Sequence, residues 1–257
     1  MPAKATSQRR SYSSPEMIEQ GQRILIGGGG RSFYVRAGAG RFSTDRGIID
    51  LDQAVGASPG DLLLSHTGYE FVIRKPRPAD FFAHSRRSGA PMLPRDIGMV
   101  IAHTGMNRND NVLDAGTGSG IAAIYFGGIA RHVVTYEKRA DFAALAEENI
   151  RDAGLSNVEV VADDMLNATG AFDVVHLDLT LTPDHVRHAH SLIRPGGYLA
   201  CYTPFLEYLV TVMDTATGLF AEVHAYECIE REMTRSERGT RPSTRVGHSG
   251  YITIARK

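Results

Sequence analysis

From Asp96 to the carboxyl end, short apolar runs alternate with longer stretches in which apolar residues recur at helical spacing. That alternation predicts a parallel sheet covered on both faces. It places a helix over Asp96–Thr104, a strand over Asn111–Asp114, a helix over Ser119–Ile129, a strand over His132–Glu137 and a helix over Ala140–Ala153. Strands follow at Val158–Ala162 and Phe172–Leu177, then a helix at Pro183–Leu192, a strand at Tyr198–Tyr202 and a helix at Phe205–Met213. Two late strands, about Glu222–Glu232 and Gly250–Ala255, have no helix between them, so the sheet ends antiparallel. Thr234–Gly247 reads as a polar, arginine-rich loop joining them, longer than a hairpin needs.

Before this region the period changes. Arg23–Ile26, Phe33–Arg36, Gly47–Leu51, Asp61–Leu64 and Glu70–Arg74 are short alternating runs separated by glycines, the pattern of a small antiparallel β-domain over residues 21–80. Residues 1–20 read as a flexible tail. Pro76–Pro94, rich in proline, arginine and aromatics, reads as a non-helical linker whose last part, residues 81–95, leads into a second domain over 96–257.

The chain has 257 residues, 42% of them hydrophobic, enough for one full core and a small accessory domain. No apolar stretch is long enough to span a bilayer, and the polar start lacks the apolar centre of a signal peptide, so a cytoplasmic protein without membrane contact is expected. Cys201 and Cys228 fall in apolar segments without metal-ligand spacing; reduced core cysteines and no metal are expected. The net charge of -1 gives no overall bias toward nucleic acid, so any RNA contact must come from local patches. Ser85–Ser88, Arg95 and the run from Arg231 to Arg245 supply them, although such runs are also ordinary solvated faces.

The chemistry concentrates at strand ends. Val112 and Leu113 run into Asp114 and then Gly116, Thr117, Gly118, Ser119 and Gly120, a strand turning tightly into a helix with glycines that admit a ligand close to the backbone. The next strand ends in Glu137, suited to accept from both hydroxyls of a ribose. A dinucleotide fingerprint has the spacing G-x-G-x-x-G. Here Gly116-x-Gly118-x-Gly120 follows Asp114, which favours S-adenosylmethionine, and the antiparallel end of the sheet also argues against a dehydrogenase. The third strand runs into Asp163-Asp164, acceptors for an adenine amino group or else a helix N-cap before Met165. The fourth ends in Asp178 between two leucines, where an acid serves catalysis or cofactor, or else caps a turn.

Four blocks carry a resemblance: Arg87-Ser-Gly-Ala-Pro-Met-Leu-Pro-Arg-Asp96, Val112–Gly120, Asp173-Val-Val-His-Leu-Asp178, and Arg241-Pro-Ser-Thr-Arg-Val-Gly-His-Ser-Gly-Tyr251. Gly247-His248-x-Gly-Tyr in the last is the most specific. Over roughly residues 21–257 the chain resembles the tRNA adenine-N1 methyltransferases that act on the T-loop, in their archaeal homo-oligomeric form. The resemblance implies an α/β fold, a Rossmann-like class I methyltransferase domain with a seven-stranded, mostly parallel sheet. It implies S-adenosylmethionine held by Gly116–Ile121, Glu137, Asp163 and Asp164, with Asp178 at both cofactor and target base. It also implies a homotetramer and modification of tRNA position 58, in some archaeal members 57 too.

Arg86, Arg87, Arg95, Arg241, Arg245 and His248 are the candidate tRNA contacts. A histidine between glycines at a strand start is most often a structural residue bonding loop backbone, and Arg241 and Arg245 are equally inter-subunit ion-pair partners. The chain departs from the family pattern at Leu93, where members commonly carry Tyr or His, and at Leu179-Thr-Leu-Thr-Pro183, where many read Leu-Pro-x-Pro. Both leave open how the target base is held. Two other readings share part of the pattern: a non-catalytic RNA-binding subunit, and a class I methyltransferase of small molecules or proteins.

Overall fold

The computed structural model describes residues 17–237, 239–244 and 247–257, and the chain divides after Pro76 into two units. In the first, β1 (Arg23–Gly28), β2 (Arg31–Arg36), β5 (Leu62–Leu64) and β6 (Glu70–Arg74) form an antiparallel sheet in the order β2-β1-β6-β5, beside a hairpin of β3 (Arg41–Thr44) and β4 (Gly47–Asp50). Alternate residues Ile24, Ile26, Leu63, Phe71 and Ile73 close one core. Ile18 is buried there and its amide donates to Ala57 O at 2.8 Å. The segment expected to be a tail up to residue 20 is therefore anchored at its end, because an isoleucine gains more from burial than the chain loses in freedom there. Residues 1–16 lie outside the described part.

The second unit opens with α1 (Pro78–His84) and α2 (Pro94–Thr104). Helix α1 falls inside the expected linker. Pro78 sits in its first turn, where a missing N–H costs nothing, and Asp80 accepts from the Arg77 amide at 2.8 Å. Proline spacing misleads here: Pro78 and Pro94 each open a helix, and the stretch from Ser85 to Leu93 between them is non-helical.

Then follow β7 (Asn111–Ala115), α3 (Ile121–Gly127), β8 (His132–Tyr136), α4 (Ala140–Asp152), β9 (Val158–Val161), β10 (Phe172–Leu177), α5 (Pro183–Leu192), β11 (Ile193–Thr203) and α6 (Leu206–Thr217). The chain closes with β12 (Glu222–Glu227), β13 (Met233–Ser236), β14 (Gly239–Pro242) and β15 (Tyr251–Arg256). Seven strands make one sheet, ordered β12-β15-β11-β10-β7-β8-β9, with β7 to β11 parallel and β15 antiparallel to both its neighbours. This is the mostly parallel sheet with an antiparallel end that the hydrophobic pattern predicts.

Because β7 and β10 are covered on both faces, they are apolar without alternation. Leu113, Val175 and Leu177 pack with Val186 and Ala189 of α5 and Val212 and Ala216 of α6. Each such leucine contributes about 1.5–3 kcal/mol by leaving water. The loop expected over Thr234–Gly247 holds the hairpin β13–β14, whose residues are all polar or exposed, so no hydrophobic period marks it. Both cysteines are free; Cys201 is in the core, while Cys228 lies past the end of β12 and is only half-buried. Among the described residues no helix is long and apolar enough to cross a membrane, and no cluster of His, Cys, Asp and Glu could hold a metal ion.

Candidate active site

The carboxyl ends of the central strands meet at one height. The Gly116 amide donates to Tyr136 O at 3.0 Å, and the Asp178 amide donates to Ala115 O at 2.8 Å, so the glycine turn is pinned between β8 and β10. Gly116 has φ +84, and a methyl group there would stand 1.8 Å from the Asp178 carbonyl oxygen. Only glycine closes this turn.

Around it lies a crevice of two lobes that share Gly116, Arg139 and Asp178. One, about 260 Å³, is walled by the turn, Ser88–Met92 and Phe142. The other, about 290 Å³, is walled by Tyr136–Lys138, Asp163–Met165, Leu179, Thr180 and His185. The strap that includes Ser88–Met92 is held from behind. Asn149 of α4, buried, donates its amide to Arg86 O at 2.9 Å and Ser119 O at 2.8 Å, tying the strap to the glycine turn.

Asp178 lines both lobes, and none of the hydrogen bonds among the described residues engages its carboxyl group. Burial pushes its pKa up to about 6, with a pull downward from His176 and a push upward from Asp114. Below it, a buried polar row crosses three strands: Thr117 Oγ1 to Thr135 Oγ1 at 2.5 Å, Thr135 to Asp114 Oδ2 at 2.5 Å, and His176 Nδ1 to Asp114 Oδ1 at 2.6 Å. Ladder pairing causes the row, since Thr135 and His176 are the cross-strand partners of Asp114.

Glu137 is 3% exposed. Burial pulls its pKa up, but the hydrogen bonds from Arg139 and the amides of Gly118 and Arg139 outweigh that and hold it below the ordinary carboxylate range. Asp164 caps the turn that follows, accepting from the Leu166 amide at 3.0 Å, and Asp163 accepts from the Asp164 amide and Asn167. One lobe thus offers carboxyl acceptors suited to the amino and hydroxyl donors of an adenosine. The other offers glycine backbone and hydroxyls, suited to an amino acid tail.

Comparison with known proteins narrows this. A family described as ribosomal RNA adenine dimethylase matches residues 95–185. The tRNA (adenine(57)-N(1)/adenine(58)-N(1))-methyltransferase TrmI of Methanocaldococcus jannaschii is 32% identical, over 91% of this chain and 94% of its own. The chain belongs to the TrmI family. Two solved structures share the fold of this TrmI-family chain: a SAM-dependent O-methyltransferase from Thermotoga maritima, TM-score 0.82 at 24% identity over 94% of both chains, and the tRNA (m1A58) methyltransferase TrmI of Aquifex aeolicus, TM-score 0.77 at 20% identity over 94% of this chain and 99% of the other.

Within this TrmI-family fold, Gly116, Thr117, Gly118, Ser119, Ile121, Glu137, Asp163, Asp164 and Asp178 all line the crevice, while Gly120 stands behind the turn against Ala146. The arginines do not gather. Arg86 pairs with Glu148 at 2.9 Å, and Arg87 lies over the Phe82 ring. Arg95 is only 12% exposed and donates to Gly247 O and Ser249 Oγ, both at 3.0 Å, so it faces inward and not toward a ligand in solvent. That corrects the expectation that it contacts tRNA: it staples the Gly247–Tyr251 block to α2.

His248 uses both ring nitrogens, on Glu227 at 2.8 Å and Pro204 O at 3.0 Å, and these two acceptors raise its pKa. This is the structural alternative considered for it. Arg241 stands exposed on β14, and Arg245 lies outside the described residues. Leu93 caps α2 at its amino end, and Thr182 caps α5 together with His185. Arg139, Asn149 and His176 escaped the sequence reading. The signal for His176 was a polar residue between apolar ones in a covered strand, and for Asn149 a polar residue on the helical face that carries Ala143, Ala146 and Ile150.

Proposed function

We propose that this chain transfers a methyl group from S-adenosylmethionine to N1 of adenosine 58 in the tRNA T-loop. The observation that carries the reading is Asp178, an acid without a protein partner where both lobes meet, in a member of the TrmI family. The residues fit the cofactor: Gly116–Ile121 with the Ser88–Met92 strap receive its amino acid tail, Glu137 its ribose hydroxyls, and Asp163 or Asp164 its adenine amino group.

S-adenosylmethionine supplies an electrophilic methyl group on a sulfonium. The protein's part is alignment and exclusion of water, because an in-line displacement needs little else. Methylation at N1 puts positive charge on the base. Asp178, accepting from the exocyclic amino group, favours that charge and can take the proton the base then sheds. A pKa near 6 leaves it ionised, and thus an acceptor, at neutral pH.

Residues 77–257, which include the Ser88–Met92 strap ahead of the expected start at 96, act as the methyltransferase domain, and Arg86, Arg87 and Arg241 are the exposed cations for tRNA phosphates. The enzyme works in the cytoplasm as a homotetramer; exposed Phe205 just before α6, Leu206 and Val210 on it, and Ile229 and Met233 beyond β12 support an interface between copies. Sedimentation equilibrium on the wild type and on Leu206→Glu tests this, with tetramer expected only for the former.

The activity test is labelled methyl transfer to unmodified tRNA, followed by mass-spectrometric mapping of nucleosides. N1-methyladenosine at position 58 is expected, and mapping also reads position 57, which the M. jannaschii relative's name includes. Any other methylated nucleoside overturns the substrate.

A further inference from the structure

Glu137 has no acceptor capacity left. An ionised carboxylate offers about four lone-pair sites. Oε1 accepts from the Arg139 amide at 3.2 Å and from Arg139 Nε at 2.9 Å; Oε2 accepts from the Gly118 amide at 3.0 Å and from the Arg139 terminal guanidinium nitrogen at 3.2 Å. The two amides belong to the backbone and stay. The two guanidinium bonds are the only ones that can yield. They occupy one site on each oxygen, which is what a cis-diol needs to bind Glu137 through both hydroxyls.

The guanidinium is free to leave. Arg139 is 53% exposed in its side chain, against 3% for Glu137. Its central carbon lies 3.7 Å from the centroid of the Phe142 ring while the fork is on Glu137, so one face of the guanidinium packs on the ring and its edge meets the carboxylate. Arg139 also borders both lobes of the crevice.

We propose that Arg139 is an internal competitor for the ribose site: its guanidinium fork and the cofactor's ribose diol take the same two oxygens of Glu137, and their exchange sets the affinity for the donor and for the product. When the diol binds, the fork leaves Glu137 and turns toward solvent; when the product departs, the fork returns and keeps the buried carboxylate paired. Arg139 thus trades donor affinity for product release. The proposal rests on the assignment of Glu137 to the ribose.

Calorimetric titration of the full chain with S-adenosylhomocysteine, adenosine and 2′-deoxyadenosine tests it, with thermal melting as the check on folding. Arg139→Ala is expected to bind S-adenosylhomocysteine and adenosine about two- to fivefold more tightly than wild type, the range of a partly exposed ion pair. Its preference for adenosine over 2′-deoxyadenosine should widen by a similar factor, a change that a merely structural role would not produce. Arg139→Lys, which keeps the charge but cannot fork, should fall between the two. Unchanged or weaker binding in a folded Arg139→Ala protein overturns the competition.

Adding Glu137→Gln to Arg139→Ala separates the two claims. Loss of the ribose preference in the double variant, without tightening in Arg139→Ala, leaves the ribose assignment intact and removes the competition. A ribose preference that survives in the double variant removes the ribose assignment itself, and the competition with it.

Discussion

His176 Nδ1 lies 2.6 Å from Asp114 Oδ1, with both side chains sealed from solvent in the centre of the sheet. Thr135 donates to the other oxygen, so the histidine tautomer with hydrogen on Nδ1 satisfies the acid on its second side. This pair underlies the crevice floor, since Asp114 borders one lobe and Asp178 follows His176 by two residues on the same face of β10 and its extension. His176→Leu keeps the bulk and removes the donor, leaving a buried acceptor unpaired. Urea unfolding should show a loss of about 1–3 kcal/mol, and His176→Asn, which retains an N–H at similar reach, should recover part of it.

The raised pKa of Asp178 fixes both rate and stability against pH. If the ionised form accepts from the base, kcat/KM should fall as pH drops through about 6. Asp178→Asn should lose at least about a hundredfold in kcat, the lower range for a positioned base. His176→Asn removes an influence that lowers this pKa, so the acid limb should move upward.

For stability the sign is the reverse of an ordinary paired carboxylate. The folded state binds the Asp178 proton more tightly than the unfolded chain does, so its contribution grows as pH falls from about 6 toward 3.8, and the ionised group is a cost above about 6. Asp178→Asn should therefore melt higher than wild type at neutral pH. The gap should narrow toward pH 5, and scanning calorimetry across that range checks it.

Two glycines of the same turn should behave differently. Gly116→Ala forces a methyl group onto the Asp178 backbone and should abolish cofactor binding along with activity. Gly118→Ala has φ +53 but no heavy atom nearer than Ser88 Oγ at 3.7 Å, so it carries only the left-handed penalty of about 1–2 kcal/mol. Titration with S-adenosylhomocysteine should find measurable binding only in the second variant.

Salt dependence should separate the arginines. Arg241→Ala, on the exposed hairpin, should reduce the slope of log K for tRNA against log salt by about one. Arg95→Ala should leave the slope unchanged and lower the melting temperature, because its guanidinium is spent on Gly247 and Ser249. A slope change in Arg95→Ala would return it to the phosphate contacts.

The sequence by itself determined the sheet, the glycine turn and the carboxylates at the strand ends. Those features are local: an apolar run such as Val174–Leu177 can only be a covered strand, and Asp178 or Glu137 at the end of a run must emerge at the carboxyl edge of the sheet. It missed α1, where a proline began a helix, and the β13–β14 hairpin, which has no apolar face to betray it. Tertiary structure alone decided which charges face the crevice and which are consumed. Arg95 and Arg241 look alike along the chain, but one is largely covered and bonded to Ser249 and the other stands in solvent. Likewise Arg139 reads as a surface residue two positions after Glu137, until the turn back of the chain folds its fork onto that carboxylate. A hydrophobic pattern records which face of an element is buried, whereas the pairing of a long charged side chain depends on neighbours in three dimensions.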